Sequence, residues 1–368
     1  MRIGIVGGGQ LGRMLALAGA PFGWRFQCLD PDADSPAFHV ADARVAPFHD
    51  RKALRNFARG LDLVTFESEN LPAEAIALIA EHTPVYPPLR ALEVGQDRLH
   101  EKRLFQRLGI ATAPFATVDD ASQLANAIAE LGTPSILKTR RGGYDGRGQV
   151  VIGDAREIES AWKALPGVPS ILEGRVKFER EISIVAVRGR DGSEAFYPPV
   201  ENHHEHGCLR LSIAPAPALD ETTRLAAEDI ARRVMRALDY VGVLAIELFQ
   251  VGDALWANEL APRVHNSGHW TIEGADTSQF ENHLRAIAGL PLGSTRARGR
   301  SAMVNLLGEL PPMEALLAVR GAHVHVYGKR PAPGRKLGHV TVCADDEAEL
   351  LESLHQLAKS IPFRLPAA

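Results

Sequence analysis

The sequence predicts a protein of several domains, mixing α/β with α+β structure and beginning with a small doubly wound domain. Three observations lead to this prediction. Strand-like and helix-like segments alternate over roughly the first 95 residues, as they do in βαβ units with a parallel sheet. A long two-stranded hairpin is predicted much later, at residues 241–262. The chain of 368 residues is also too long for one ordinary core.

The first domain is predicted from short apolar runs that are separated by glycines and helical patterns. Its elements are strands at 2–6, 25–30 and 62–67, a helix at 10–19, and a helix at 72–82 with Pro72 in its first turn.

The middle of the chain alternates amphipathic helices with apolar strands. Its elements are helices at 97–110, 121–132 and 220–238, strands at 135–138, 169–174, 180–189 and 194–200, and the hairpin that turns at Gly252 and Asp253. Asp220 is the expected N-cap of the third helix. The tail from about residue 295 is predicted to contain strands at 302–308, 322–328 and 338–344 and a last helix near 346–360.

Composition excludes several classes of function. The formal net charge of −4 gives no reason to expect nucleic acid or membrane partners. The three cysteines have no CxxC spacing and indicate a reduced, cytoplasmic protein. The first twenty residues resemble a signal peptide only superficially, because glycines and Arg13 interrupt the apolar run. No apolar stretch is long enough to span a bilayer.

A glycine loop opens the first predicted helix. Gly7, Gly9 and Gly12 follow a strand, and Asp30 ends the next strand, where a ribose-binding acid lies in dinucleotide sites. Any βα turn that binds a phosphate needs the same glycines, however, since the helix N-terminus presents free N–H groups. From the loop alone, a dinucleotide and another phosphorylated ligand are equally good predictions, and a purely structural tight turn is the third alternative.

A second glycine-rich loop, residues 138–148, contains four glycines among five charged residues after an apolar strand. Lys138 comes before the glycines and no GK[ST] closes the loop, so it is not a Walker A motif. Its glycines would let the backbone fold over an anion and open again, which is what a lid over phosphates requires. The alternative is a flexible hairpin with solvated charges.

Two glutamates lie in the strands of the predicted hairpin. Glu247 and Glu259 are each surrounded by apolar residues, and a buried carboxylate is costly unless it is paired or bound to a metal. Facing each other, they would hold magnesium, which favours carboxylates together with phosphate oxygens. The alternative is that both face solvent. A polar cluster follows directly, comprising Arg263, His265, Asn266, Ser267, His269 and Trp270.

A strand lysine followed by a glycine lid, two strand glutamates and an arginine resembles the order found in ATP-grasp ligases. Within that superfamily, the segments GGGQLGRM, QDRLHEKRLF, RRGGYDGRGQ, NELAPRVHNSGHWT and PGRKLGH resemble the 5-(carboxyamino)imidazole ribonucleotide synthase family. The resemblance covers nearly the whole chain. It implies a Rossmann-like pre-ATP-grasp domain at 1–97, an ATP-grasp domain at 98–292 with a lid subdomain at about 115–180, and a small C-terminal domain at 293–368.

The resemblance also implies the reaction and the residues that carry it. The reaction would join bicarbonate to the amine of 5-aminoimidazole ribonucleotide in purine synthesis, with ATP and magnesium, in a homodimer. Catalytic roles fall to Arg263, Asp145 and Lys138, and magnesium to Glu247 and Glu259. The expected ATP contacts are Arg98, Lys138, Gly143, Tyr144, Asp145, Gly146, Arg147, Gly148, Gln149, Glu173, Gly174, Arg175, Val176, Glu181, His204, Asn258 and Glu259. The expected substrate contacts are Gln10, Leu11, Tyr144, Asp145, Arg147, Arg263, His265, Asn266, Arg335 and Lys336.

With a complete nucleotide site elsewhere, the N-terminal glycine loop is expected to meet the substrate's phosphate rather than a dinucleotide. Three alternatives remain. A nicotinamide-dependent oxidoreductase would explain only the first thirty residues. A formate-using glycinamide ribonucleotide transformylase would share the lid and both glutamates, but we would expect it to differ after Arg263. A non-catalytic nucleotide-binding module would not need the full set of metal and phosphate ligands.

Overall fold

The computed structural model describes residues 1–143, 146–165 and 167–365. Tyr144 and Asp145, to which the sequence assigns substrate and ATP contacts, lie outside the described residues. The described chain forms three β-sheets with helices packed against them. Within these residues, none of the helices combines the length and the apolar character needed to cross a bilayer.

The N-terminal sheet is parallel, with strand order β3-β2-β1-β4. Its elements are β1 (Arg2–Val6), α1 (Gln10–Gly19), β2 (Arg25–Asp30), β3 (Asp42–Val45), α2 (Arg51–Ala58), β4 (Leu63–Phe66), α3 (Ala73–Ala80) and α4 (Leu89–Gly95). This confirms the doubly wound start of the chain. The sequence interpretation missed β3, α2 and α4, and Pro72 is the N-cap of α3 rather than a residue of its first turn.

After α5 (Arg98–Arg107), a second sheet of four antiparallel strands has the order β5-β8-β6-β7. Its elements are β5 (Phe115–Val118), α6 (Ala121–Leu131), β6 (Ser135–Thr139), β7 (Gln149–Ile152), α7 (Ile158–Ala164) and β8 (Ser170–Gly174). The glycine-rich loop joins β6 to β7 and therefore projects from one end of this sheet.

The third sheet is the largest. Its order is β14-β13-β9-β11-β12-β15-β17-β16, and β10 pairs with β9. Its elements are β9 (Arg180–Arg188), β10 (Glu194–Phe196), β11 (Val200–Glu205), β12 (Cys208–Ala214), α8 (Glu221–Ala237), β13 (Gly242–Val251), β14 (Ala254–Ala261), α9 (Thr271–Gly274), α10 (Gln279–Ala288), β15 (Arg300–Leu307), α11 (Met313–Leu317), β16 (Ala322–Val326), β17 (Lys336–Ala344) and α12 (Glu347–Leu357). Asp220 caps α8 as predicted, accepting a hydrogen bond from the Thr223 N–H.

The strands of the C-terminal region extend the large sheet, because β15 pairs with β12 through Leu211 and Val304. The C-terminal region therefore shares backbone hydrogen bonds with the segment before it. One apolar cluster likewise joins the N-terminal sheet to the large one, with Ile5 and Leu15 in the same core as Val187 and Trp270. The domain boundaries at 97/98 and 292/293 stay predictions.

His283 of α10 is a polar link between the N-terminal sheet and the large sheet. Its imidazole is fully buried, lies 2.9 Å from the Thr65 hydroxyl through Nε2, and accepts from the Val243 N–H through Nδ1. Burial lowers the pKa of His283 from 6.5 to about 3. The folded protein therefore keeps this side chain neutral at pH values where the unfolded chain protonates it.

We expect His283 to weaken the fold as the pH falls below about 6.5. The unfolded state then binds one more proton at this position, so the free energy of unfolding drops by about 1.4 kcal/mol per pH unit. Urea denaturation between pH 7 and pH 5 should show a shallower pH dependence for His283→Gln than for the wild type, by about one proton. The exposed His82 provides the control His82→Gln. Parallel curves for wild type and His283→Gln would contradict the assignment.

Candidate active site

Glu247 and Glu259 face each other on β13 and β14. They are direct partners in the antiparallel ladder, which confirms their predicted placement on adjacent strands. Burial and then the charge of Glu259 raise the pKa of Glu247 to about 7. Two carboxylates held this close attract a cation. The guanidinium of Arg98 partly fills that role, donating from Nη1 to Glu259 Oε2 at 2.9 Å.

The donor set at this position fits magnesium. No three His, Cys, Asp or Glu side chains in the described part of the chain come together as a metal site. A cation between Glu247 and Glu259 would therefore have two protein carboxylates and take its other ligands from phosphate and water. Magnesium commonly binds in this way, with one or two carboxylates plus phosphate oxygens.

A buried charge cluster lies beside the glutamates. Lys138 of β6 donates from Nζ to Glu173 Oε2 of β8 at 2.8 Å, and the ammonium of Lys102 lies 3.6 Å from the same oxygen. Burial alone would raise the pKa of Glu173. The positive charges of the two lysines have the larger effect and lower the pKa of Glu173 to about 2. Glu173 therefore stays ionised, and it holds the predicted phosphate-binding lysine in place.

The described residues of the glycine-rich loop approach Arg98 and the β11–β12 turn. Gly146 and Gly148 have φ values of +77° and +72°, which non-glycine residues rarely adopt. A Cβ on Gly146 would lie 2.9 Å from the His206 carbonyl oxygen, and one on Gly143 would lie 3.6 Å from Arg98 Nη2. The loop thus lies between Arg98 and the β11–β12 turn, where a phosphate lid is expected.

Asp97 fixes the base of the loop. Its buried carboxylate accepts two hydrogen bonds from Arg140, from Nε at 3.0 Å and Nη2 at 2.6 Å, and it caps α5 by accepting from the Leu99 N–H. The Arg98 N–H donates to the Arg140 carbonyl. The first residues of the loop are therefore tied to the start of α5.

Glu181 and His204 lie together at the other end of the site. Glu181 Oε2 is 2.5 Å from His204 Nδ1, since β9 and β11 are neighbours. Burial opposes protonation of His204, but Glu181 and Glu247 raise its pKa. Both side chains line a cleft of about 1040 Å³ that residues 362–365 also border. This cleft has room for the ribose and base of a nucleotide.

The acceptor side of the site begins at Arg263, just past β14. Its guanidinium donates two hydrogen bonds to the Glu69 carboxylate of the N-terminal domain, from Nε at 2.5 Å and from Nη2 at 2.9 Å. His265 lies 3.5 Å from Glu247 through Nε2, and burial together with Arg263 keeps its pKa well below 6.5. Both side-chain amide atoms of Asn266 are buried without a partner among the described residues, as expected of a group that binds a ligand.

The predicted substrate residues of the two ends of the chain also approach this region. Gln10 accepts from Lys329 Nζ at 2.5 Å, and the charge of Lys336 acts on Glu247, His204 and His265. Arg335 is exposed. The side chain of Leu11 packs in the core, so only its backbone is available to a ligand.

One expectation about the N-terminal glycine loop needs correction. The Gly9 and Gly12 N–H groups, expected to meet the substrate's phosphate, already donate to Glu67 at 2.5 and 2.7 Å. The Gly8 N–H donates to Asp30 at 2.7 Å. The N-terminus of α1 thus holds a carboxylate of its own chain. This geometry argues against a dinucleotide there and equally against a phosphate bound by those amides.

Glu67, Glu69, Lys102 and Lys329 are among the site residues that escaped the sequence interpretation. Glu67 and Glu69 follow a parallel strand, where acidic residues often reach a binding crevice, and this was an available signal. Lys102 carried no such signal, since a lysine on an amphipathic helix normally faces solvent. The remaining predicted ATP residues belong to the same elements: Arg147 and Gln149 at the lid, Gly174, Arg175 and Val176 at the end of β8, and Asn258 in β14.

Comparison with known proteins gives three matches to domain families. Residues 1–96 match the ribonucleotide synthetase preATP-grasp domain, residues 103–280 the ATP-grasp domain, and residues 301–353 the phosphoribosylaminoimidazole carboxylase C-terminal domain. An N5-carboxyaminoimidazole ribonucleotide synthase of Pseudomonas aeruginosa is 51% identical over 95% of this chain and 96% of its own length. One of Brucella melitensis is 48% identical over 92% and 95%.

Comparison with solved structures finds the same family as the sequence relatives. The N5-carboxyaminoimidazole ribonucleotide synthetase of Thermus thermophilus superposes with a TM-score of 0.95, at 55% identity and full coverage of both chains. The Aspergillus clavatus N5-carboxyaminoimidazole synthase in complex with ADP and 5-aminoimidazole ribonucleotide has a TM-score of 0.90 at 32% identity, covering 97% of each chain. The chain therefore has an ATP-grasp fold preceded by a pre-ATP-grasp domain and followed by a C-terminal domain of the same lineage.

Proposed function

This chain belongs to the N5-carboxyaminoimidazole ribonucleotide synthase family of ATP-grasp ligases, and from that premise we propose its reaction and the roles of its residues. It uses ATP and bicarbonate to carboxylate the exocyclic amine of 5-aminoimidazole ribonucleotide, giving 5-carboxyaminoimidazole ribonucleotide, ADP and phosphate. The reaction is a step of purine biosynthesis. These are the substrates and products that the sequence resemblance implied.

The position of Glu247 is the observation that carries the assignment of roles. Glu259 lies beside it across the ladder, and the charges of His204 and Lys336 reach it. His265, from the acceptor side, lies 3.5 Å away. The nucleotide half and the acceptor half of the site thus meet at one carboxylate, as a transfer from ATP to a second substrate requires.

On the nucleotide side, Lys138 and the lid N–H groups hold the phosphates, and Glu181 binds the ribose. Positioning and neutralisation of charge account for most of the rate in such transfers. We propose that Glu247 and Glu259 hold magnesium, which when bound would neutralise charge on the β- and γ-phosphates. Asp97 keeps the lid base fixed through Arg140, so the lid closes from a defined position and excludes water.

On the acceptor side, a bicarbonate oxygen attacks the γ-phosphorus and ADP leaves, which gives carboxyphosphate. The amine of the aminoimidazole then forms a bond to the carboxyl carbon, and the C–O bond to phosphate breaks, with the leaving phosphate taking up the proton that the amine loses. We propose that Arg263 stabilises the acyl phosphate. Its two hydrogen bonds to the Glu69 carboxylate orient the guanidinium before the intermediate forms. Charge that is preorganised in this way is effective in a site closed to water.

The dependence of phosphate release on each substrate tests the proposed function. We expect wild-type protein with ATP and magnesium to release phosphate only when both bicarbonate and 5-aminoimidazole ribonucleotide are present, and to incorporate one labelled carboxyl group per ATP. Glycinamide ribonucleotide with formate should give none. Turnover with that second pair would assign the chain to the formate-using relatives, whereas no turnover with either pair would reject the proposal.

Arg335 and Lys336 are proposed to hold the substrate's phosphate, since the Gly9 and Gly12 amides at the start of α1 are taken by Glu67. Alanine at either position should raise the KM for the aminoimidazole nucleotide about tenfold, as expected for loss of a charge-assisted contact. The KM for ATP should change by less than about twofold. The exposed Arg320 provides the control Arg320→Ala, for which both constants should stay unchanged. An equal loss for ATP would contradict the assignment.

We propose in addition a homodimer in the cytoplasm. The thiols of Cys28 and Cys343, not joined in a disulfide, are consistent with a reducing compartment. Sedimentation analysis at micromolar concentration distinguishes a dimer from the monomer of 39.9 kDa.

A further inference from the structure

Lys102 is a charged residue that the mechanism above does not use. It projects from α5 and is fully buried, with Nζ donating to the Asn258 carbonyl at 2.8 Å and lying 3.5 Å from the Ala257 carbonyl. Burial disfavours the charged ammonium through desolvation and lowers the pKa of Lys102.

The strand that Lys102 contacts contains a β-bulge. Glu247 pairs with Glu259, but the next residue, Leu248, pairs with Ala257, so Asn258 is the extra residue. If the register at the turn end of the hairpin continued without the bulge, Asn258 would pair with Glu247 and Glu259 would lie opposite Ile246. The Glu259 side chain would then point to the other face of the sheet. Bulges near active sites commonly redirect a side chain in this way. The bulge is thus what turns Glu259 toward Glu247.

Helix α5 holds this bulge on both sides of Glu259. On one side, Lys102 donates a hydrogen bond to the carbonyl of Asn258, the residue before Glu259. On the other side, the N–H of Leu260, the residue after Glu259, donates to Glu101 Oε1 at 2.6 Å. Arg98, one turn earlier, donates to the Glu259 carboxylate itself. Three residues of one helix therefore fix the backbone and the side chain of a proposed magnesium ligand.

Lys102 also adjusts the charge around the phosphate-binding lysine. Glu173 Oε2 is shared by Lys138 at 2.8 Å and Lys102 at 3.6 Å, so two lysine side chains face one carboxylate. Without Lys102, Lys138 and Glu173 would form a neutral pair. The attraction of Lys138 for phosphate would then be weakened by a carboxylate that it does not share.

We propose that Lys102 is a positioning residue, which fixes the bulge that turns Glu259 toward Glu247 and keeps the Lys138 ammonium available for the nucleotide's phosphates. The inference rests on the proposed function for the identity of the nucleotide. It predicts a defect specific to nucleotide binding and transfer, since the acceptor contacts come from other segments of the chain.

The test uses Lys102→Met in the full chain, with Thr112→Val as the matched control. The Thr112 hydroxyl donates to the Ala257 carbonyl of the same strand at 2.9 Å but is not among the contacts of Glu173. We expect Lys102→Met to bind ADP with magnesium about tenfold more weakly or worse by calorimetry, as for loss of a charge-assisted contact. Its KM for ATP should rise and its kcat fall, while the KM for the aminoimidazole nucleotide stays near that of the wild type. Thr112→Val should bind ADP like the wild type.

Wild-type ADP affinity in a folded Lys102→Met protein would overturn the proposal, and so would an equal loss in Thr112→Val, which would indicate general loosening of the strand. If Lys102→Met does not fold, Lys102→Gln keeps a donor for the Asn258 carbonyl and removes the charge. A loss of affinity from the missing charge is then expected, smaller than the one predicted for Lys102→Met, and unchanged affinity refutes the proposal. ADP binding needs neither bicarbonate nor the aminoimidazole nucleotide, so a wild type that binds ADP without carboxylating would reject the proposed function alone.

Discussion

Glu259→Gln should fold normally and lose ATP turnover by about a thousandfold. The substitution keeps the shape of the side chain but removes one of the two charges proposed to hold magnesium between β13 and β14. A bound metal contributes several kcal/mol of charge stabilisation in the transition state, and about 4 kcal/mol corresponds to this factor. Phosphate release at saturating magnesium, with the melting temperature recorded in parallel, measures the effect.

Asp253→Asn is the matched control for this experiment. It removes the same charge from the exposed turn of the same hairpin, and it should leave turnover unchanged. Glu247→Gln should behave like Glu259→Gln, with a smaller loss. Normal phosphate release by the Glu259 variant would rule out the metal assignment.

The second large effect is expected at Arg263. In Arg263→Lys the charge remains, but a single ammonium cannot reproduce the two-point contact with the Glu69 carboxylate. We expect kcat to fall about a hundredfold, as it does when one preorganised donor to a developing charge is lost. The KM for ATP should change little, because Lys138, Glu181 and the lid are untouched.

The companion variant Glu69→Gln separates orientation from charge. It retains one acceptor oxygen for the guanidinium and should lower kcat by less than Arg263→Lys does. Both variants should release more phosphate than they form carboxylated product, because a poorly held acyl phosphate is lost to water. Tight coupling of ATP use to product in Arg263→Lys would show that this arginine does not hold the intermediate.

The placement of Glu247 and Glu259 on adjacent strands was predictable because it depends on local structure. The turn at Gly252, with φ of +58°, closes the hairpin. The apolar residues of both strands then leave few registers that bury the correct faces. The bulge at Asn258 was not predictable, since its cause lies on α5, far away in sequence.

Long-range contacts explain the other differences. The glycine fingerprint at Gly7, Gly9 and Gly12 is the same whether a ligand or a side chain of the protein fills the helix N-terminus. Here Glu67, 55 residues beyond Gly12, fills it. Similarly, a lysine in an amphipathic helix gives no sign of burial, so the role of Lys102 becomes visible only when β14 and β8 are packed around it.

The continuity of the large sheet has a consequence for treating the C-terminal region as an exchangeable module. A chain cut near residue 295 would lose β15, and β12 would become the border of the sheet. The backbone N–H and C=O groups of residues 211–214 that now face β15 would then have no strand partner, and such an exposed sheet edge recruits strands from other chains. A C-terminal region exchanged between related proteins must therefore keep the β12–β15 pairing intact. The boundary of the exchanged segment is then set by the strands and not by a linker.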